Sequence, residues 1–246
     1  CGLELLIKQL LPQSGVALMN EHSVSLIEEP LPYELDELHK WQSNDDNCID
    51  ILLKSNAPLS IKRTVGYKKG FIIDESGKRL GRRKDNPCPR GTMHFDVAKT
   101  VVDNLDNIKL GWYGSYDWLK SPGWIVKPSS FVPTSSDNYS KEFERIYQKA
   151  LIEYIGIPNL RKLQEKAKMF DDIAEPDLWL IKKDGTFLFI EAKINKRTVD
   201  DSQIAGLALL KKILDADVKI IRVYEKGKNV KIKGWSNKFS YCYNLL

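Results

Sequence analysis

The chain has 246 residues, 42% of them apolar and 29% charged, which suits one large globular domain or two small ones. Its net charge of +5 and pI near 8.8 permit a nucleic-acid partner without demanding one. It contains no apolar run of about 18 residues, which argues against a transmembrane helix, and no basic-then-apolar opening, which argues against a secretory signal.

Leu3 to Leu11 and Tyr33 to Trp41 have helical spacing, with Pro30 and Pro32 breaking the chain between them. Ile49 to Leu53 and Leu59 to Val65 read as strands. Gly70 to Ile73 and Arg79 to Arg82 flank Asp74-Glu75-Ser76-Gly77 as a hairpin with a longer turn. Phe95 to Leu105 reads as a short amphipathic helix. Gly111 to Val126 holds Trp112, Tyr113, Tyr116, Trp118 and Trp124, which suit a core or a domain interface better than a base-stacking platform. Residues 127–139, rich in Ser and Pro, read as a linker. The expected domains are therefore an α+β N-terminal region at 1–126 and a second domain at 140–246.

In the second domain Ser140 is a candidate N-cap. Phe143, Ile146, Tyr147, Ala150 and Tyr154 form one apolar stripe, and the helix should end near Gly156 with Pro158 beyond it. Leu160 to Phe170 reads as a second helix. Leu178 to Ile181 and Thr186 to Ile190 read as strands joined at Asp184-Gly185, a short hairpin signal. Asp200 or Asp201 caps a helix running to about Leu214, and Val218 to Tyr224 alternates as a strand. Gly227 then turns the chain into Val230 to Trp235. Helix, hairpin, helix, strand fits a mixed sheet flanked by helices. In this domain one core strand before Pro176 is not evident, since the segment there reads as helical.

The four cysteines, Cys1, Cys48, Cys88 and Cys242, are far apart and form no Cys-x-x-Cys pair. A structural zinc site is not expected, and free thiols suit a reducing compartment. The chain opens on Cys1-Gly2 rather than Met, which leaves room for a longer precursor.

The chemistry concentrates in Pro176-Asp177 and Glu191-Ala192-Lys193. The hairpin folds Asp177 back beside Glu191 and Lys193, which share a face because they are two apart in a strand. Two carboxylates would suit a hard divalent cation, and an ammonium beside them could position or deprotonate a water. The bland alternative is a surface hairpin with an ordinary Glu–Lys pair.

With Gln203 downstream, these motifs resemble the PD-(D/E)xK nuclease superfamily, most closely the VRR-Nuc group, over roughly residues 140–225. The resemblance implies a restriction-endonuclease-like α/β fold and a Mg²⁺-dependent DNA endonuclease, with Mn²⁺ able to substitute. Asp177, Glu191 and the Ala192 carbonyl would hold metal, and Lys193 would act on the attacking water. Gln203 would reach the site, and a further acid would come from the preceding helix. Glu142, Glu144 and Glu153 compete for that place, and Glu144 lies nearest the apolar stripe. The implied setting is junction or flap processing in DNA repair or recombination, in the cytoplasm at the nucleoid, or in a nucleus. DNA is the expected partner, a homodimer is compatible, and no membrane is expected. A restriction or defence endonuclease, or an inactive DNA-binding module of the same fold, are the alternatives.

Lys68, Lys69, Lys78, Arg79, Arg82, Arg83 and Lys84 crowd one stretch, with Lys62, Arg63 and Arg90 nearby. They could track a phosphate backbone, with Tyr67 and Phe71 interleaved among them. One demand follows from register. A two-residue turn at Asp184-Gly185 would pair Asp177 with Ala192 and point its carboxylate away from Glu191. Convergence therefore requires a bulge, a wider loop or a bend.

Overall fold

The computed structural model describes residues 24–43, 45–83, 92, 94–113, 118–119 and 138–235, the side chains of 138–144 and 235 excepted. The helix expected at Leu3 to Leu11, Lys84, and the linker through residue 137 lie outside the described residues.

The order is β1 (Leu26–Tyr33), α1 (Leu35–Gln42), α2 (Asp50–Lys54), α3 (Leu59–Lys69), β2 (Phe71–Ile73), β3 (Arg79–Arg82), α4 (Phe95–Asp103) and β4 (Ile108–Tyr113). It continues with α5 (Asn138–Ile155), α6 (Ile157–Ala167), β5 (Leu178–Lys182), β6 (Phe187–Ile194), α7 (Asp201–Leu214), β7 (Asp217–Glu225) and β8 (Gly234–Trp235). Six strands form one mixed sheet ordered β4-β5-β6-β7-β1-β8, and β2 with β3 forms a separate hairpin. The β4-β5-β6 pairs are antiparallel, whereas β6-β7 and β7-β1 are parallel.

Helices cover both faces of the sheet. On one face Trp112, Trp179, Phe189 and Ile220 pack with Tyr147 of α5, Leu160 of α6 and Leu207 of α7. On the other, Leu180, Ile190, Ile221 and Val223 pack with Trp41, Leu52, Ile61 and Phe95 from the first four helices. Trp112 stacks on Trp179 with centroids 4.5 Å apart, so the Trp-rich segment is core where it is described.

Three expectations change. Residues 49–53 and 59–65 lie in the α2 and α3 region rather than in strands. Ile61, Thr64 and Val65 are buried at helical spacing, and Gly70 closes α3 in the left-handed region at φ 102°. Pro30 and Pro32 do not break the chain but lie within β1. Glu28 donates its N–H to Lys233 O, so the alternate positions 30 and 32 face the same edge. There β8 pairs only with Leu26 and Ile27, and a missing N–H costs no ladder bond. As expected, α5 ends at Ile155, before Gly156, and Pro158 lies beyond it, in the first turn of α6. Finally, β1 and β4 share a sheet with β5 to β7, so the boundary expected at 127–139 does not separate two cores.

Besides β1, which was not expected as a strand, the strand missing before Pro176 is β4. It pairs with β5 across a long intervening stretch that includes α5 and α6. Val230 to Trp235 contributes only the two-residue β8.

Register at the β5–β6 hairpin meets the demand made above. Leu178 pairs with Ile190 and Leu180 with Leu188. The loop is Lys183-Asp184-Gly185, one residue wider than a two-residue turn. Lys182 N donates to Thr186 O at 2.9 Å, and Asp184 Oδ1 accepts from Thr186 N and Oγ1. Gly185 occupies φ 86°, where a side chain is strained. Continuing this register by one residue sets Asp177 opposite Glu191, on the same face.

Candidate active site

The site forms where β5 begins and β6 ends, beside the N-terminus of α7. Glu191 is fully buried in β6. Its Oε1 accepts from Lys193 Nζ at 2.5 Å and from Gln203 Nε2 at 2.6 Å, whereas its Oε2 has no hydrogen-bond partner. Asp177 Oδ2 accepts from the Ala192 N–H at 2.9 Å. Gln203 is held by its own helix cap, since its Oε1 accepts from Asp200 N at 3.0 Å. One amide therefore ties the start of α7 to the buried carboxylate.

The charges are strongly coupled. Burial first, and the Asp177 carboxylate second, push the Glu191 pKa well above the usual carboxylate range. Burial also raises Asp177, against the pull of Lys193, the Ala192 N–H and Glu191. The pair thus holds a proton that two separate carboxylates would release, and Glu191 is the better seat for it. Burial works to strip Lys193 of its proton, but Glu191, Asp177 and Asp96 outweigh it, and its pKa is raised. Lys193 is an ammonium at neutral pH.

Sequence reasoning missed Asp96, in the first turn of α4. It is buried, and its pKa is pushed up to about 6 by burial and by the charge of Asp177. Lys99 on the same helix bonds Glu37 of α1 at 2.7 Å and pairs with Asp103, which locks α4 in place. Tyr113, ending β4, bonds His94 Nδ1 at 2.6 Å. Burial lowers the His94 pKa to about 4, helped by Lys68, Lys69 and Arg197, so its ring is neutral. Burial raises the Tyr113 pKa, helped by Asp177, Asp96 and Glu191, so it stays a phenol. The signal for Asp96 was the helix expected at Phe95 to Leu105, which immediately precedes a sheet strand.

The Glu144 side chain lies outside the described residues. The face of α5 that is described packs Tyr147 against Trp112 and Trp179.

The basic stretch is largely held against the protein. Lys69 is fully buried with its ammonium over Trp41, which removes it from the surface where a phosphate contact would form. Arg79 and Arg82 lie over Phe71, and Arg82 pairs with Asp46 at 2.6 Å. Arg83 stacks on Tyr67. Lys78 is exposed and Lys68 half-buried. Tyr67 and Phe71 are core residues rather than free stacking platforms.

Gly206 of α7 fixes how closely this helix meets the segment leading to Asp177. A Cβ there would lie 1.9 Å from the Ala174 carbonyl oxygen, and Ala174 N donates to Ser202 O at 3.0 Å. Gly206→Ala should cost on the order of 3 kcal/mol, as overpacking against immovable backbone does, and should displace Asp177 from Glu191. Urea denaturation measures the first effect and divalent-cation affinity the second.

The pH dependence has a definite sign. Asp96 binds its proton more tightly folded than unfolded, so its stabilising contribution is complete below about pH 4 and is lost as pH rises through about 6. A shift of this size corresponds to on the order of 3 kcal/mol. Asp96→Asn should flatten the fall in stability between those limits, measured by denaturation across a pH series without divalent cations.

The molecule defined so far is a mixed α/β sheet, flanked by helices, with a carboxylate–lysine cluster at a strand end. No protein-family model matches the chain, and no curated protein or solved structure matches it either. Among the described residues no helix is long and apolar enough to cross a membrane. Among the same residues no group of three or more His, Cys, Asp or Glu is placed to hold a metal ion.

Proposed function

We propose that the chain is a Mg²⁺-dependent endodeoxyribonuclease of the PD-(D/E)xK superfamily, most like the VRR-Nuc group, with a restriction-endonuclease-like core and a structure-selective DNA substrate. The observation that carries this reading is the buried Glu191 carboxylate with its unpartnered Oε2, set beside Asp177 and Lys193. A buried carboxylate lacking a partner is costly, and a divalent cation would relieve that cost. The meander β4-β5-β6, followed by α7 and the parallel strand β7, supports the fold assignment.

The residues fit a magnesium ion. Mg²⁺ is commonly bound through one or two protein carboxylates, with waters and substrate phosphate completing its shell, so a larger protein cluster is not required. Asp177 and Glu191 would hold it. In an antiparallel strand the N–H and C=O of one residue point to the same side. The Ala192 N–H reaches Asp177, so its carbonyl turns toward the same space and can serve as a further ligand. When bound, the ion would supply positive charge against the phosphate and acidify a coordinated water.

This chain's own residues do the rest. Lys193, held as an ammonium, orients the attacking water and faces the negative charge that grows on phosphate; it does not act as the base. Gln203 holds Glu191 Oε1, leaving Oε2 to the ion. Asp96 adds negative potential from the α4 side. Hydrolysis joins the water oxygen to phosphorus and breaks the bond from phosphorus to the sugar oxygen; the water gives a proton up to bulk solvent and the sugar oxygen takes one up from it.

Incubation with linear, circular, single-stranded and four-way-junction DNA, with and without Mg²⁺ or Mn²⁺, tests the proposal. Metal-dependent cleavage of at least one substrate is expected. Intact substrates throughout would defeat it.

A further inference from the structure

A cleft of about 740 Å³ opens at the C-terminal ends of the parallel strands β6 and β7. Its lining includes Lys196, Arg197, Arg222, Tyr224, Lys228 and Lys231, and the one acidic residue among its lining is Glu225. Arg222 is committed to structure. It makes a buried ion pair with Glu28 and donates to the carbonyls of Asn195 and Arg197. It therefore pins the turn that follows Lys193 and fixes where Lys196 and Arg197 stand.

Lys196, Lys228 and Lys231 are exposed cations. Among the described residues neither Lys196 nor Lys231 forms an ion pair, and Lys228 approaches only Glu225, at 3.8 Å. Like charges gathered without partners repel, so the cleft favours an anion. Arg197 belongs to the cleft and also pulls on the pKa values of Asp177 and Asp96. Arg197 is therefore common to the cleft and to the field around the carboxylate pair.

Three features select the anion. Lys196, Arg197, Lys228 and Lys231 all line the cleft, enough cations to meet more than one phosphate of a repeating charge. Tyr224 offers a half-buried ring among them, and base stacking on aromatics within a basic groove is the usual means of holding an unpaired strand. The volume is that of a small-ligand pocket, too narrow to enclose a duplex.

We infer that this cleft binds a single strand of nucleic acid by its phosphates and one stacked base, and leads that strand through Arg197 to the Asp177–Glu191 pair. The strand's destination rests on the nuclease reading; its binding does not.

The test is fluorescence anisotropy of a labelled oligothymidine strand and of a blunt duplex, in EDTA, across a salt series. The strand should bind about tenfold more tightly than the duplex. Lys228→Glu with Lys231→Glu should weaken strand binding at least tenfold and flatten its salt dependence. Tyr224→Ala should weaken it about tenfold with the salt slope unchanged. Lys196→Glu, alone in the turn after β6, provides an independent variant should either of the others misfold, as checked by thermal unfolding.

Equal affinity for strand and duplex, or unchanged affinity in folded charge-reversal variants, would overturn the inference. So would displacement of the strand by inorganic pyrophosphate at concentrations that leave no length dependence of binding, which would make this a small-anion pocket. If the strand binds as expected but none of the linear, circular, single-stranded and junction DNAs is cut when Mg²⁺ is added, the nuclease reading fails and the cleft stands.

Discussion

Glu191→Gln should abolish metal-dependent cleavage, by at least a hundredfold, while making the metal-free protein more stable near neutral pH. The two effects share one cause. Glu191 is fully buried with one oxygen unpartnered and faces Asp177, so its ionised form is unfavourable in the folded protein. A glutamine has the same shape. Its oxygen can still accept from Lys193 and Gln203, and its amide can donate toward Asp177. Relief of one buried charge conflict should add about 1–2 kcal/mol, or several degrees in Tm for a chain of this size. Added Mg²⁺ should then stabilise the native protein and leave the variant unmoved. Thermal unfolding with and without Mg²⁺ reads all three. A variant that is less stable, or that still gains from Mg²⁺, would remove Glu191 from the proposed metal site.

Lys193→Ala should lose cleavage by a factor of about 10²–10³, the usual scale for deleting one charged group that faces the transition state. It should keep divalent-cation binding, because no ligand is lost. The raised pKa of Lys193 separates two roles that its position alone leaves open. A lysine acting as base would require its neutral form, and the native rate would climb with pH through the lysine pKa. An ammonium that aligns water gives no such limb below about pH 10. The pH–rate profile of the native protein, set beside single-turnover rates of the variant, decides it. A climbing lysine limb would reassign Lys193 as the base.

The sequence made the second half legible because its motifs sit on strongly patterned elements. The α7 cap at Asp200 or Asp201 and an end near Leu214 followed from capping and periodicity, and β7 from β-branched alternation. The first half misled where local signals were mixed. Ile61, Thr64 and Val65 are β-branched residues in a helix, and only their spacing of three and four betrays it. Pro30 and Pro32 look like breakers until the unpaired edge of β1 is known. Strand β4 was obscured by the long separation from its partner β5. The same separation concealed Asp96, because the helix acid was sought on α5, in the same half of the chain as the hairpin. The basic residues of α3 and β3 were counted correctly as charges. What could not be read was that Phe71, Tyr67, Trp41 and Asp46 already hold several of them.

The pair Lys182 and Thr186 behaves as a parity bit for the whole site. Asp177 lies as many residues before Lys182 as Glu191 lies after Thr186, so the two fall opposite each other; a change of one residue in the length of either strand segment would move one carboxylate across the sheet. The loop Lys183-Asp184-Gly185 touches neither carboxylate, so substitutions at Lys183 should be nearly silent. A single deletion within Leu178 to Ile181 should be as damaging as loss of Asp177 itself. In the descent of such a protein, these two strand segments can drift in spelling but are barred from drifting in relative length.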